Sequence, residues 1–118
     1  MDERQALAAF AALGQAHRLR VVRALVAAGP DGMAAGALAD AVGVAGNTLS
    51  FHLKELSHAG LVASRREGRS VIYTAAYAGL SDLIRFLMRD CCQGRPEVCA
   101  PAVEALALAA CCPAGDRP

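Results

Sequence analysis

Apolar residues recur at helical spacing from the start of the chain. Ala6, Leu7, Phe10 and Leu13 form one stripe that Gly14 ends, which predicts a helix over 2–13. Leu19, Val22, Leu25 and Val26 form the next stripe and Gly29-Pro30 closes it, so a second helix is expected over 16–28. After the turn signal Asp31-Gly32, a short helix over 34–41 carries Leu38 and Ala41 and stops at Gly43. A fourth helix then runs from about Asn47, capped by Gly46 or Asn47, to His58, and Gly60 ends it. Two short helices joined by a few residues containing Gly form the helix-turn-helix pattern.

Beyond Gly60 the period changes. Leu61-Val62-Ala63 and Val71-Ile72-Tyr73 read as two strands around the polar turn Arg65-Arg66-Glu67-Gly68-Arg69, a β-hairpin. Helical spacing returns over 79–91, with Leu80, Leu83, Ile84, Leu87 and Met88 on one face and Gly94-Arg95-Pro96 as the break. An Ala-rich helix is expected over 97–110, before a Pro/Gly tail. The resulting class is mainly α with a small β-hairpin. It divides into a domain over 1–92 and a C-terminal segment over 93–118.

Composition sharpens this reading. The chain has 118 residues, 55% of them apolar and mostly Ala, Leu and Val, enough for one helix-rich domain. A net charge of +1 announces no polyanionic partner, but its distribution does. Every basic residue except Lys54 is Arg, with Arg18, Arg20 and Arg23 grouped early and Arg65, Arg66 and Arg69 grouped at the hairpin. Arginine's planar fork suits phosphate and guanine.

On the fourth helix, Leu49, Leu53 and Leu56 share one face, so Asn47, Thr48, Ser50, Phe51 and Lys54 point elsewhere. Asn pairs with an adenine edge, Ser and Thr with bases or phosphates, and Phe with a thymine methyl. His52 borders the apolar stripe and stands between groove edge and core. A basic hairpin beside such a helix is a wing, placed to follow the backbone or enter the adjacent minor groove. The expected interface is therefore Asn47, Thr48, Ser50, Phe51, His52, Lys54, Arg65, Arg66 and Arg69, with double-stranded DNA as partner.

The run from Asn47 to Val62 resembles the core of the ArsR/SmtB family of metal-responsive repressors. Ser50-Phe51-His52-Leu53, Leu56 and Ala59-Gly60-Leu61-Val62 carry the likeness. It extends back to His17-Arg18-Leu19-Arg20 and forward through Gly68-Arg69 and Tyr73, covering roughly 5–92. The resemblance implies a winged helix-turn-helix homodimer joined through its first and fifth helices, and a repressor that its inducer releases from operator DNA. Apolar stripes on those two helices, in a domain this small, fit such a dimer.

All five cysteines, Cys91, Cys92, Cys99, Cys111 and Cys112, lie in the last 28 residues. In a reducing compartment, clustered thiols point to soft-ion binding or redox chemistry rather than structural disulfides. Cys91 and Cys92 close the fifth helix, and Gly94 and Pro96 allow the chain to return with Cys99. Three thiolates match the pyramidal preference of trivalent arsenic. Zinc would ask for a fourth ligand, and neither a C-x-x-C pair nor a nearby His is present.

In the family, one common sensing site uses cysteines of the third helix, and another uses His and carboxylates of the fifth. Here the third helix has no Cys, and Asp82 lacks His partners. An adjacent cysteine pair with a later third resembles the arsenic-responsive members, which assigns Cys91, Cys92 and Cys99 as ligands, with Cys111 and Cys112 as auxiliary. The inducer is then As(III), with Sb(III) or methylated arsenic as further candidates, and DNA binding itself needs no cofactor. Rival triggers are thiol oxidation, cadmium or copper(I) on the same fold.

Catalysis is not expected. A thiol-based arsenate reductase or phosphatase uses C-x5-R, and counting from Cys91 and Cys92 reaches Glu97 and Val98. With no apolar run of membrane length and no basic-then-apolar leader, the chain is expected to be cytoplasmic and free of membranes.

Overall fold

A computed structural model of the chain describes residues 1–89, so Cys91, Cys92, Cys99, Cys111, Cys112 and the helix expected over 97–110 lie outside the described residues. Met1–Phe86 form one compact unit; a second spans Leu87–Pro118, of which 87–89 are described.

The elements run α1 (Glu3–Leu13), α2 (Ala16–Ala28), a 3-10 turn (Gly29–Asp31), β1 (Met33–Ala34), α3 (Ala35–Val42), α4 (Gly46–His58), β2 (Val62–Glu67), β3 (Ser70–Ala75) and α5 (Tyr77–Met88). Asp2 starts α1 with a capping box: its Oδ1 accepts from the Gln5 amide, and Gln5 Oε1 accepts from the Asp2 amide, each at 2.8 Å. Gln15 caps α2 by accepting from the Arg18 amide at 3.1 Å. Gly43 ends α3 in the left-handed region at φ 81°, which supplies the sharp turn into α4.

Two expectations need correction. The sheet is three-stranded and antiparallel rather than a bare hairpin, in the order β1-β3-β2. Met33 and Ala34 pair with Tyr73 and Ile72, an edge too short for sequence periodicity to reveal. The first turn of α4 has no side-chain cap: Ala45 occupies the cap position, while Asn47 Oδ1 accepts from the Thr48 amide at 2.9 Å.

The core gathers Val21, Val22 and Leu25 of α2, Leu38 of α3, Leu49, Leu53 and Leu56 of α4, Leu61 and Leu83. α1 buries its small face, Ala6, Ala9 and Ala12, and packs Leu13 against the core. Two larger residues of its predicted stripe turn outward: Leu7 is 61% and Phe10 41% exposed, and Ile84 of α5 is exposed as well. Alanine lets α1 lie close to the core, whereas the bulky side chains are left for another surface.

α5 is held at its start. Tyr77 donates its hydroxyl to the Val26 carbonyl at 3.3 Å, and Gly79 packs directly on the backbone of Gly60. A Cβ at 79 would collide with the Gly60 carbonyl oxygen.

Candidate nucleic-acid interface

α3, the turn at 43–45 and α4 form the helix-turn-helix, and the β2–β3 hairpin follows directly. The division of α4 into two faces is as expected from spacing. Leu49, Leu53 and Leu56 are buried, while Asn47, Thr48, Ser50, Phe51 and Lys54 are exposed. Ser50 donates its hydroxyl to the Gly46 carbonyl at 3.0 Å, which leaves its oxygen lone pairs outward. Phe51 is 55% exposed, a large apolar cost on a polar face unless something covers it.

His52 falls on the core side. It is 6% exposed, and its Nδ1 accepts from Arg18 Nε at 3.0 Å. The neutral ring therefore carries its proton on Nε2. Burial, and then the nearby Arg18 and His17, hold the His52 pKa below its ordinary 6.5. Its direct contact with a groove is not favoured by this geometry; its role is to hold Arg18.

The sign of the linkage follows. The unfolded chain takes up the proton first, so the stability from neutral His52 is complete above pH 6.5 and is lost as pH falls through the folded value. The melting temperature of the native chain should drop more steeply with acid below about pH 6.5 than that of His52→Asn, whose amide oxygen accepts at every pH. Parallel melting curves across that range would refute the assignment.

The three hairpin arginines separate into two kinds. Arg65 is already engaged: Nη1 donates to the Pro30 carbonyl and Nη2 to the Asp31 carbonyl, each at 2.9 Å, and Nε meets Glu67 Oε2 at 2.7 Å. It ties the wing to the 3-10 turn. Arg66 and Arg69 are exposed and make no hydrogen bond to another described residue, so they are open to an external anion. Gly68, at φ 61°, makes the tight turn that presents Arg69.

Sequence reasoning missed Arg18 as part of this site. It stands 34 positions from His52 and joins it only through packing of α2 on α4. The signal that would have found it is the pairing of a half-buried arginine with a histidine beside the apolar stripe. Among the described residues, no three His, Cys, Asp or Glu side chains gather as a metal site, and no helix is long and apolar enough to cross a membrane.

Comparisons with known proteins agree with this geometry. A helix-turn-helix domain family model matches residues 13–65, from the end of α1 into β2. An ArsR-like transcriptional regulator from Rhodococcus sp. RHA1 is 28% identical, with a TM-score of 0.68 over 86% of this chain and 93% of that one. A possible transcriptional regulatory protein (fragment 1–100) from Mycobacterium bovis is 30% identical, with a TM-score of 0.57 over 71% of this chain and 87% of that one.

The same Mycobacterium bovis fragment in solution, described as the homodimeric winged helix-turn-helix DNA-binding domain of a possible ArsR-family transcriptional regulator, is 27% identical. Its TM-score is 0.58 over 80% of this chain and 94% of that one. No curated protein matched the sequence. Helix-turn-helix, wing, sheet order and these likenesses together identify the chain as a member of the ArsR family of winged helix-turn-helix transcriptional regulators.

Proposed function

We propose that the protein is a repressor that binds operator DNA as a homodimer and dissociates when trivalent arsenic is captured by Cys91, Cys92 and Cys99. The observation that carries the DNA-binding part is the outward face of α4: Asn47, Thr48, Ser50, Phe51 and Lys54 exposed above an inner face of Leu49, His52, Leu53 and Leu56, with Arg66 and Arg69 exposed on the wing. Base edges would be read by the first set and phosphates held by the second.

The homodimer is supported by the exposed Leu7 and Phe10 on α1 and Ile84 on α5, and by the homodimeric Mycobacterium bovis domain. Joining the copies through these helices would fix the separation of two recognition helices at about 34 Å, the spacing of successive major grooves. The domain over 1–92 then carries binding and dimerisation, and 93–118 carries the sensing thiols.

The arsenic part rests on donor chemistry. Three soft thiolates suit a soft, three-coordinate ion, and arsenite, antimonite or a methylated arsenic fit the same set. Cys111 and Cys112 serve as auxiliary thiols. A reducing cytoplasm would keep these thiols available to the ion.

Fluorescence anisotropy of the reduced protein on a duplex carrying its own upstream DNA tests the whole reading. Binding should weaken steeply with salt, and arsenite should release the duplex. Release by cadmium, copper(I) or peroxide but not arsenite would reassign the trigger; salt-independent or absent binding would end the repressor reading. Arg66→Ala should lower the slope of log affinity against log salt by about 1.8, the value of one phosphate contact in each subunit of the homodimer, and leave sequence preference unchanged. An unchanged slope would remove Arg66 from the interface.

A further inference from the structure

Where α2 meets α4, one side chain links the core to the reading face. Arg18 donates Nε–H to the buried His52, and its guanidinium carbon lies 5.5 Å from the centre of the exposed Phe51 ring. The His52 ring lies 5.9 Å from that of Phe51 and 5.7 Å from that of His17. An exposed aromatic ring ordinarily samples several rotamers. A guanidinium stacked on one face, itself anchored by a charge-assisted hydrogen bond, restricts that freedom.

We infer that Arg18 is a positioning residue for base recognition: anchored by His52, its guanidinium holds the Phe51 ring in the orientation that offers its open face to a thymine methyl. The inference rests on the DNA-reading proposal and adds to it the side chain that sets selectivity. Lysine cannot substitute, because an ammonium has neither a planar face to stack nor an Nε–H in a fixed fork. The anchor also needs His52 Nδ1 unprotonated.

The titratable and charged neighbours facing that ring are Arg18 and His17 on α2. On α4 itself, Glu55 and His58 line the groove of about 310 Å³ that holds Arg18. Once His52 is protonated, two cations face each other across the former hydrogen bond, and Glu55 offers Arg18 another partner. Phe51 then loses its support. Phosphate attraction does not weaken, since no positive charge has been removed.

The test uses the full chain, a duplex enriched on it from a randomised pool, and a scrambled duplex of equal length. The readout is the ratio of the two affinities. Arg18→Lys should lower that ratio about tenfold while binding the scrambled duplex with the native salt slope. The native ratio should be constant above about pH 6.5 and fall as pH drops below it, and that of His52→Asn should not change with pH.

Phe51→Leu, at an exposed position that the fold does not need, should lower the ratio and abolish its dependence on both Arg18 and pH. A native ratio and pH profile in Arg18→Lys, with selective binding intact, would overturn the inference alone. Failure of any duplex to be enriched would overturn it together with the DNA-reading proposal.

Discussion

Gly79→Ala should destabilise the domain by about 2 kcal/mol, although glycine-to-alanine changes in helices ordinarily stabilise. Two effects oppose each other at this position. Alanine gains up to about 1 kcal/mol of helix propensity. Against that, its Cβ would drive into the Gly60 carbonyl oxygen, a backbone atom that cannot swing aside like the end of a side chain. Overpacking of this kind costs about 3 kcal/mol, so the clash wins. In a domain of this size the melting temperature should fall by about 10 °C.

The consequence extends beyond stability, because relief of the clash requires α5 to move off the α4–β2 turn, and α5 carries Ile84 of the proposed dimer surface. Dimer dissociation at lower dilution should accompany the lower melting point. Gly36→Ala is the matched control: a Cβ there meets nothing within 4 Å, so the propensity gain should stand alone and the domain should become slightly more stable. Urea unfolding of both variants decides the matter. A Gly79→Ala protein at least as stable as the native one would show that α5 does not need this close approach.

The second large effect concerns release. To move a repressor from 99% bound to 99% free, the inducer must favour the free state by about 5.5 kcal/mol. Such coupling needs the whole ligand set, because loss of even an indirect supporting contact at a metal site costs roughly 10–100-fold in affinity. Cys91→Ser, Cys92→Ser or Cys99→Ser should therefore raise the arsenite needed for release by more than about a hundredfold. Affinity for the duplex without arsenite should be unchanged, since no cysteine lies within the helix-turn-helix or the wing. Cys111→Ser and Cys112→Ser should keep most of the response. Undiminished release from Cys91→Ser would remove the three-thiolate site and leave the DNA-binding part standing.

Much of this fold was legible in the residues because one physical signal, apolar spacing, is local. Leu49, Leu53 and Leu56 predicted both the existence of α4 and the face it exposes. Gly14, Gly43 and Gly60 marked the helix ends within a residue or two. The polar run at 65–69 predicted the hairpin. On α1 the same signal gave the stripe but not its division: Ala6 is buried with Ala9 and Ala12, while Leu7 and Phe10 are exposed, because periodicity gives the width of an apolar stripe and not which edge meets the core.

The split among the wing arginines was likewise hidden. Only the fold brings Arg65 to the Pro30 and Asp31 carbonyls, 35 and 34 positions away, and leaves Arg66 and Arg69 without a hydrogen bond to another described residue. By itself, then, the sequence determined the helix-turn-helix, the wing, the outward polar face of α4 and the confinement of thiols to the last part of the chain, all of which depend on neighbours along the backbone. Tertiary structure alone decided that β1 joins the sheet, that His52 belongs to the core, and that Arg18 reaches it from another helix. Those contacts join residues distant in the chain, and their strength depends on packing and desolvation that no local pattern encodes.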